Sequence, residues 1–228
     1  MKILKYVLFC FGLALGINNA QAQDWPNLSK YSKENADLAM PSADEDRVVF
    51  MGNSITEGWK SKRPKYFSNV NYINRGISGQ TTPQMLVRFR ADVVNLKPKV
   101  VVILAGTNDI AGNTGKSTIE MIANNIKSMA EIAQANGIKV VICSVHPVFD
   151  YPWKKGLNPA EKIVALNTIL KTYALNNGAI YLNYFSAMVN AEKGLKKELT
   201  YDGVHPNEAG YAVMETLAEK AIATALSE

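Results

Sequence analysis

Lys99-Val100-Val101-Val102-Ile103-Leu104-Ala105-Gly106 is the stretch on which the architecture turns. It is an unbroken apolar run, largely β-branched and closed by glycine, as expected of a strand buried on both faces. Two runs share its character, Arg47-Val48-Val49-Phe50-Met51 before Gly52 and Lys139–Val145. Two shorter candidates are Asn71-Tyr72-Ile73-Asn74, closed by Gly76, and Ala179–Tyr184. Helical patterns fill the intervals. Thr82 before Pro83 reads as an N-cap and first turn of a helix through Leu96. Ser117-Thr118-Ile119-Glu120 reads as a capping box, followed by Ile119, Ile122, Ile126, Met129 and Ala133 at helical spacing, with Gly137 past the end. A long loop, His146–Pro159, precedes a helix carrying Ile163, Leu166, Ile169, Leu170 and Tyr173; a last helix follows Pro206 with Met214, Leu217, Ala221 and Ile222. Five buried strands alternating with helices predict an α/β three-layer sandwich with a parallel, flavodoxin-like sheet. Ligand chemistry in such sheets gathers at the carboxyl ends of the strands.

The composition agrees with a globular chain. Of 228 residues, 47% are hydrophobic and 20% charged, which excludes a disordered, collagen-like or multi-span protein. Residues 47–228 form one predicted domain, preceded by a polar lead-in over 23–46 with a short helix near Tyr31–Met40. Residues 1–22 read as a signal peptide. Lys2 and Lys5 precede an apolar stretch, Tyr6 to Ile17, and Ala20-Gln21-Ala22 is a cleavage site. That stretch is short of the ~20 residues that span a bilayer, so export without stable membrane insertion is expected. Cys10 follows the bulky Phe9 inside the same run, which disfavours lipid attachment there. The formal charge is +5; a chain beginning at Gln23 keeps 23 basic residues against 20 acidic, and no basic run suggests nucleic acid. Cys143 is then the one cysteine left, inside an apolar strand, where a structural role is expected.

Four short blocks fall at the rim where the fold puts chemistry. Gly52-Asn53-Ser54-Ile55-Thr56-Glu57-Gly58 sets a serine on a strand-to-helix turn. There Ser54 is either a helix cap or a nucleophile beside free backbone N–H groups. Asn74-Arg75-Gly76-Ile77-Ser78-Gly79-Gln80-Thr81-Thr82 supplies glycines that allow close backbone approach, and Gly106-Thr107-Asn108-Asp109 brings a carboxamide. In Asp202-Gly203-Val204-His205-Pro206 a carboxylate stands three residues before an imidazole, able to hold a ring N–H. The chain has only two histidines, His146 and His205, so candidates for a base are few. Nowhere do His, Cys and carboxylates share a metal-ligand spacing, so neither metal nor cofactor is expected.

In order and spacing these blocks resemble the GDSL/SGNH hydrolases, serine esterases and acylhydrolases, over nearly all of the chain from Arg47 onward. The resemblance implies Ser54 as nucleophile, His205 as base and Asp202 as its orienting acid. It implies an oxyanion hole built from the Ser54 and Gly79 backbone N–H groups and the Asn108 side chain. Asn53 and Ile55 replace the aspartate and leucine of the family name without removing a catalytic group. The loop after the fourth strand is expected to overhang this rim, with His146, Tyr151 and Trp153 as candidate substrate contacts. Aromatic faces among polar groups suit a sugar ring, so a small-molecule or glycan ester with a short acyl group, acetyl above all, is the expected substrate. The alternatives are a lysophospholipase or thioesterase and, in another class, a non-catalytic glycan-binding protein on the same fold. Four intact chemical groups argue against the last.

Overall fold

The computed structural model describes residues 24–227; the expected signal peptide, 1–22, lies outside them. Five parallel strands, β1 (Val48–Gly52), β2 (Tyr72–Gly76), β3 (Val100–Leu104), β4 (Lys139–Cys143) and β5 (Ile180–Leu182), form one sheet in the order β2-β1-β3-β4-β5. This is the doubly wound order that the alternating pattern predicts. Alternation along the strands divides the core. Val49, Met51, Val101 and Ile103 face α3 (Thr82–Asp92), α5 (Ile119–Ala135) and α6 (Pro159–Asn176). Val48, Phe50, Val100 and Val102 face α2 (Ser54–Lys62) and α8 (Glu208–Ser227). The sequence order thus leaves both sheet faces covered, and Cys143 is buried on the second.

Strand register aligns the site. Gly52 lies beside both Gly76 and Leu104, so β1, β2 and β3 end at one level. The crevice of such a sheet opens where chain order reverses, here between β1 and β3. At Gly76 a Cβ would stand 2.1 Å from the Glu57 backbone nitrogen, so only glycine lets the end of β2 meet the first turn of α2.

Several boundaries differ from the sequence reading. Thr81, not Thr82, caps α3 in a box with Gln84, because the Thr82 hydroxyl is committed to Asp109 at 2.6 Å. The helix ends at Asp92 rather than Leu96; a separate 3₁₀ turn, Val94–Leu96, leads to Lys97 in the left-handed region. Thr118 rather than Ser117 caps α5, its side chain accepting from the Met121 N–H. The early helix α1 spans Ser32–Asp37 only. Strand β4 stops at Cys143 because the Asn167 side chain takes both the N–H and the carbonyl of Val145, at 2.7 and 3.0 Å. Among the described residues, no helix is long and apolar enough to cross a membrane, and no cluster of His, Cys, Asp and Glu could hold a metal ion.

Candidate active site

The end of β1 delivers Ser54 as the first residue of α2, behind the cap residue Asn53. Two short elements also sit at this rim: α4 (Thr107–Ile110) after β3 and α7 (Tyr184–Met188) after β5. The Ser54 hydroxyl lies 3.0 Å from His205 Nε2, although 151 positions separate the two residues. His205 Nδ1 lies 2.7 Å from Asp202 Oδ2. The other oxygen, Asp202 Oδ1, accepts the backbone N–H of His205 at 2.7 Å and of Val204 at 2.9 Å. Partial burial works against ionisation of Asp202, but these donors outweigh it and hold the carboxyl below its ordinary value. An ionised Asp202 accepts the Nδ1 proton, which leaves Nε2 free to accept from the serine. Asp202, His205 and Ser54 therefore form the hydrogen-bonded series that the resemblance implies.

The other two blocks reach the same rim. Gly79 adopts φ +76°, a left-handed conformation that glycine alone takes without strain. The next residue's carbonyl, that of Gln80, accepts from the Asn108 carboxamide at 2.9 Å. Asn108 is the second residue of α4, after β3, and is buried. Its neighbour Asp109 is also buried, which pushes its carboxyl up, while the Thr82 N–H and hydroxyl hydrogen-bond to it. The Asp109–Thr82 pair locks the third block against the start of α3.

The candidate substrate contacts separate. His146 is 1% exposed, and neither ring nitrogen has a hydrogen-bond partner among the described residues, so it does not line the rim. The chain after β4 runs inward through Val148, because Asn167 pins Val145 and the Ser144 hydroxyl accepts from the Phe185 N–H. Burial, with a smaller contribution from His205, pushes the His146 pKa down to about 3. Tyr151 is likewise buried. Its hydroxyl donates to the Thr107 carbonyl at 2.8 Å, anchoring the loop to the end of β3. Trp153 alone of the three is open, at 49%, with its ring 6.0 Å from that of His205. A second aromatic, missed in the sequence, stacks on the same imidazole. Tyr201 is 63% exposed, with its ring 5.8 Å away and nearly parallel. Its place directly before Asp202 is the one signal that could have marked it.

Comparison with known proteins agrees with this geometry. The model of the GDSL-like lipase/acylhydrolase family matches residues 50–213. A GDSL-like lipase of Bacteroides thetaiotaomicron superposes with a TM-score of 0.86 at 49% identity, covering 88% of this chain and 99% of that one. An acetylxylan esterase of Xylanibacter ruminicola is 26% identical over 94% of this chain, which spans 49% of the esterase. The human platelet-activating factor acetylhydrolase IB subunit alpha2 is 26% identical over 74% of this chain and 72% of its own length. With the fold, the strand-end blocks and the family match in agreement, the chain belongs to the GDSL-like lipase/acylhydrolase family and is an esterase of the GDSL type.

Proposed function

We propose that the protein removes short acyl groups, acetyl above all, from carbohydrate through a serine-bound acyl-enzyme. The observation that carries the chemistry is the unbroken series Ser54–His205–Asp202, at 3.0 and 2.7 Å. Ser54 attacks the ester carbonyl as His205 takes its proton, and Asp202 stabilises the imidazolium. The Ser54 and Gly79 N–H groups and the Asn108 carboxamide hold the oxyanion, a contribution of ~3–4 kcal/mol per donor in comparable sites. Protonated His205 then releases the alcohol, and the same residue activates water for the second half. The sugar reading is supported by Trp153 and Tyr201, two open aromatic rings against the base. A fatty acyl chain would favour a continuous aliphatic groove instead. Export through residues 1–22 belongs to the same proposal, and the mass of the mature protein, beginning at Gln23, checks it.

Ser54→Ala should abolish turnover, by on the order of 10⁶ in kcat, while leaving the melting temperature unchanged. Near-normal turnover by the purified variant would remove the nucleophile assignment. The substrate class is read from kcat/KM for acetyl against octanoyl esters, with Trp153→Ala expected to raise KM on an acetylated sugar. A preference for octanoyl of about tenfold, ~1.4 kcal/mol of differential transition-state binding, would instead favour the acyl-lipid reading. That second reading, a lysophospholipase or thioesterase, draws on the lipase and acylhydrolase of the family's own description.

A further inference from the structure

Two adjoining hollows lie beside the segment from Phe149 to Glu161, one of them reaching the Asp202–His205 loop. The nearer, about 350 Å³, has Asp202 and Gly203 on one bank and the segment Phe149–Pro152 on the other. Each bank adjoins a residue that touches His205, since Trp153 follows Pro152 and Asp202 holds Nδ1. The farther hollow, about 490 Å³, lies between Asn158–Glu161 and Ala191–Lys193. Phe149 and Asp150 line both, so they form the ridge between them. Both volumes fall in the ~300–1,000 Å³ range of small-ligand sites.

Phe149 is unusual for its position. The chain from Ser144 to Val148 is buried, yet Phe149 is 60% exposed. A Cβ placed on Gly194 would stand 3.0 Å from the Phe149 Cβ, so the base of this side chain is seated firmly while its ring faces solvent. With Trp153, four positions on and 6.0 Å from the His205 ring, it sets two open aromatics along the path of this segment. The path carries more carboxylates than ammonium groups. Asp150, Asp202, Glu161 and Glu192 stand against Lys155 and Lys193, and Lys193 is paired with Glu161. Such a lining repels phosphate or uronate groups, whereas a flat open ring suits the apolar face of an uncharged sugar.

We propose that this groove is a row of subsites for a neutral oligosaccharide, with Phe149 stacking on a sugar beyond the one that carries the acetyl group. The inference rests on the carbohydrate reading above and goes further, because it makes chain length a determinant of specificity. Acetylated xylotetraose should then have a higher kcat/KM than acetylated xylose. Phe149→Ala should lower kcat/KM on the tetramer about three- to tenfold through KM, with p-nitrophenyl acetate hydrolysis unchanged. Phe149→Tyr, which keeps a flat ring, should restore the tetramer. As a binding readout independent of turnover, calorimetry in a Ser54→Ala background should detect unacetylated xylotetraose, with affinity falling by a similar factor when Phe149→Ala is added. Equal kcat/KM for monomer and tetramer, both unaffected by Phe149→Ala, would overturn the groove and leave the carbohydrate reading standing. Turnover of p-nitrophenyl acetate with no action on either acetylated sugar and no calorimetric binding would overturn both.

Discussion

Gln80 touches three separate parts of the site. Its Nε2 donates to the Pro26 carbonyl at 2.6 Å, its Oε1 accepts from Arg88 Nε at 2.5 Å, and its backbone carbonyl accepts from Asn108 at 2.9 Å. Arg88, itself fully buried, donates to the Gly52 carbonyl just before the Ser54 turn and pairs with Asp92 at 2.8 Å. One residue therefore links the lead-in at Pro26, the carboxamide of Asn108 through its main chain and, by way of Arg88, the end of β1. In Gln80→Ala the Pro26 carbonyl and Arg88 Nε both lose their partner, a loss of about 1–3 kcal/mol for each buried group left unmet. Small misplacements of oxyanion donors are costly, so kcat should fall about tenfold or more with KM little changed. Steady-state kinetics beside a melting curve check this; a lowered melting temperature with kcat intact would reduce Gln80 to a purely structural role.

The lead-in segment behaves as an element of the site rather than as a tether. Besides Pro26, the Trp25 carbonyl accepts from Gln84 at 2.7 Å, and the Tyr31 hydroxyl donates to the Gly76 carbonyl. Lys30 pairs with Glu57, whose carboxylate also accepts the Ser78 N–H at 2.8 Å. Deleting residues 24–31 should lower both the melting temperature and kcat, because Gln80, Gln84 and Glu57 would all lose partners; turnover equal to that of the intact chain would count against this coupling. None of it was legible beforehand, since Trp25 and Pro26 act through main-chain carbonyls, which any residue type supplies, and Lys30 and Tyr31 meet partners far along the chain. The loop after β4 was opaque for a related reason: what draws His146 inward is the Asn167 amide on α6, far along the chain. By contrast, β1, β3 and β4 could be read directly, because burial on both faces leaves no place for a polar side chain. The blocks around Ser54, Asn108 and His205 were legible because the chemistry proposed for them needs particular side chains at particular strand ends. Tyr201 was not, since an aromatic in a loop has no period to mark it.

At the scale of the molecule, His146 couples acid to unfolding. Its folded-state pKa is depressed from 6.5 to about 3, chiefly by burial, so the unfolded chain binds the extra proton first as pH falls. The stabilising contribution is whole above pH 6.5 and is lost progressively toward pH 3, with a slope of at most ~1.4 kcal/mol per pH unit. The ring packs edge-on against Tyr184 at 5.4 Å, and replacing it with the non-titrating His146→Gln should flatten that slope in denaturant titrations run across the window. An unchanged slope would assign acid sensitivity to other groups, the depressed carboxyl of Asp202 among them.

The distance along the chain between Ser54 and His205 has a consequence in time. The pair is brought together across 151 positions, through parallel crossovers that each require a long loop to close before any contact rewards it. Tyr211 on α8 donates to the Ile55 carbonyl at 2.8 Å, so docking of the last helix on α2 holds together the two parts of the chain that carry the serine and the imidazole. During refolding, strands and helices can return early and locally, whereas the proposed ester cleavage revives only when the segments around Ser54 and His205 have found each other.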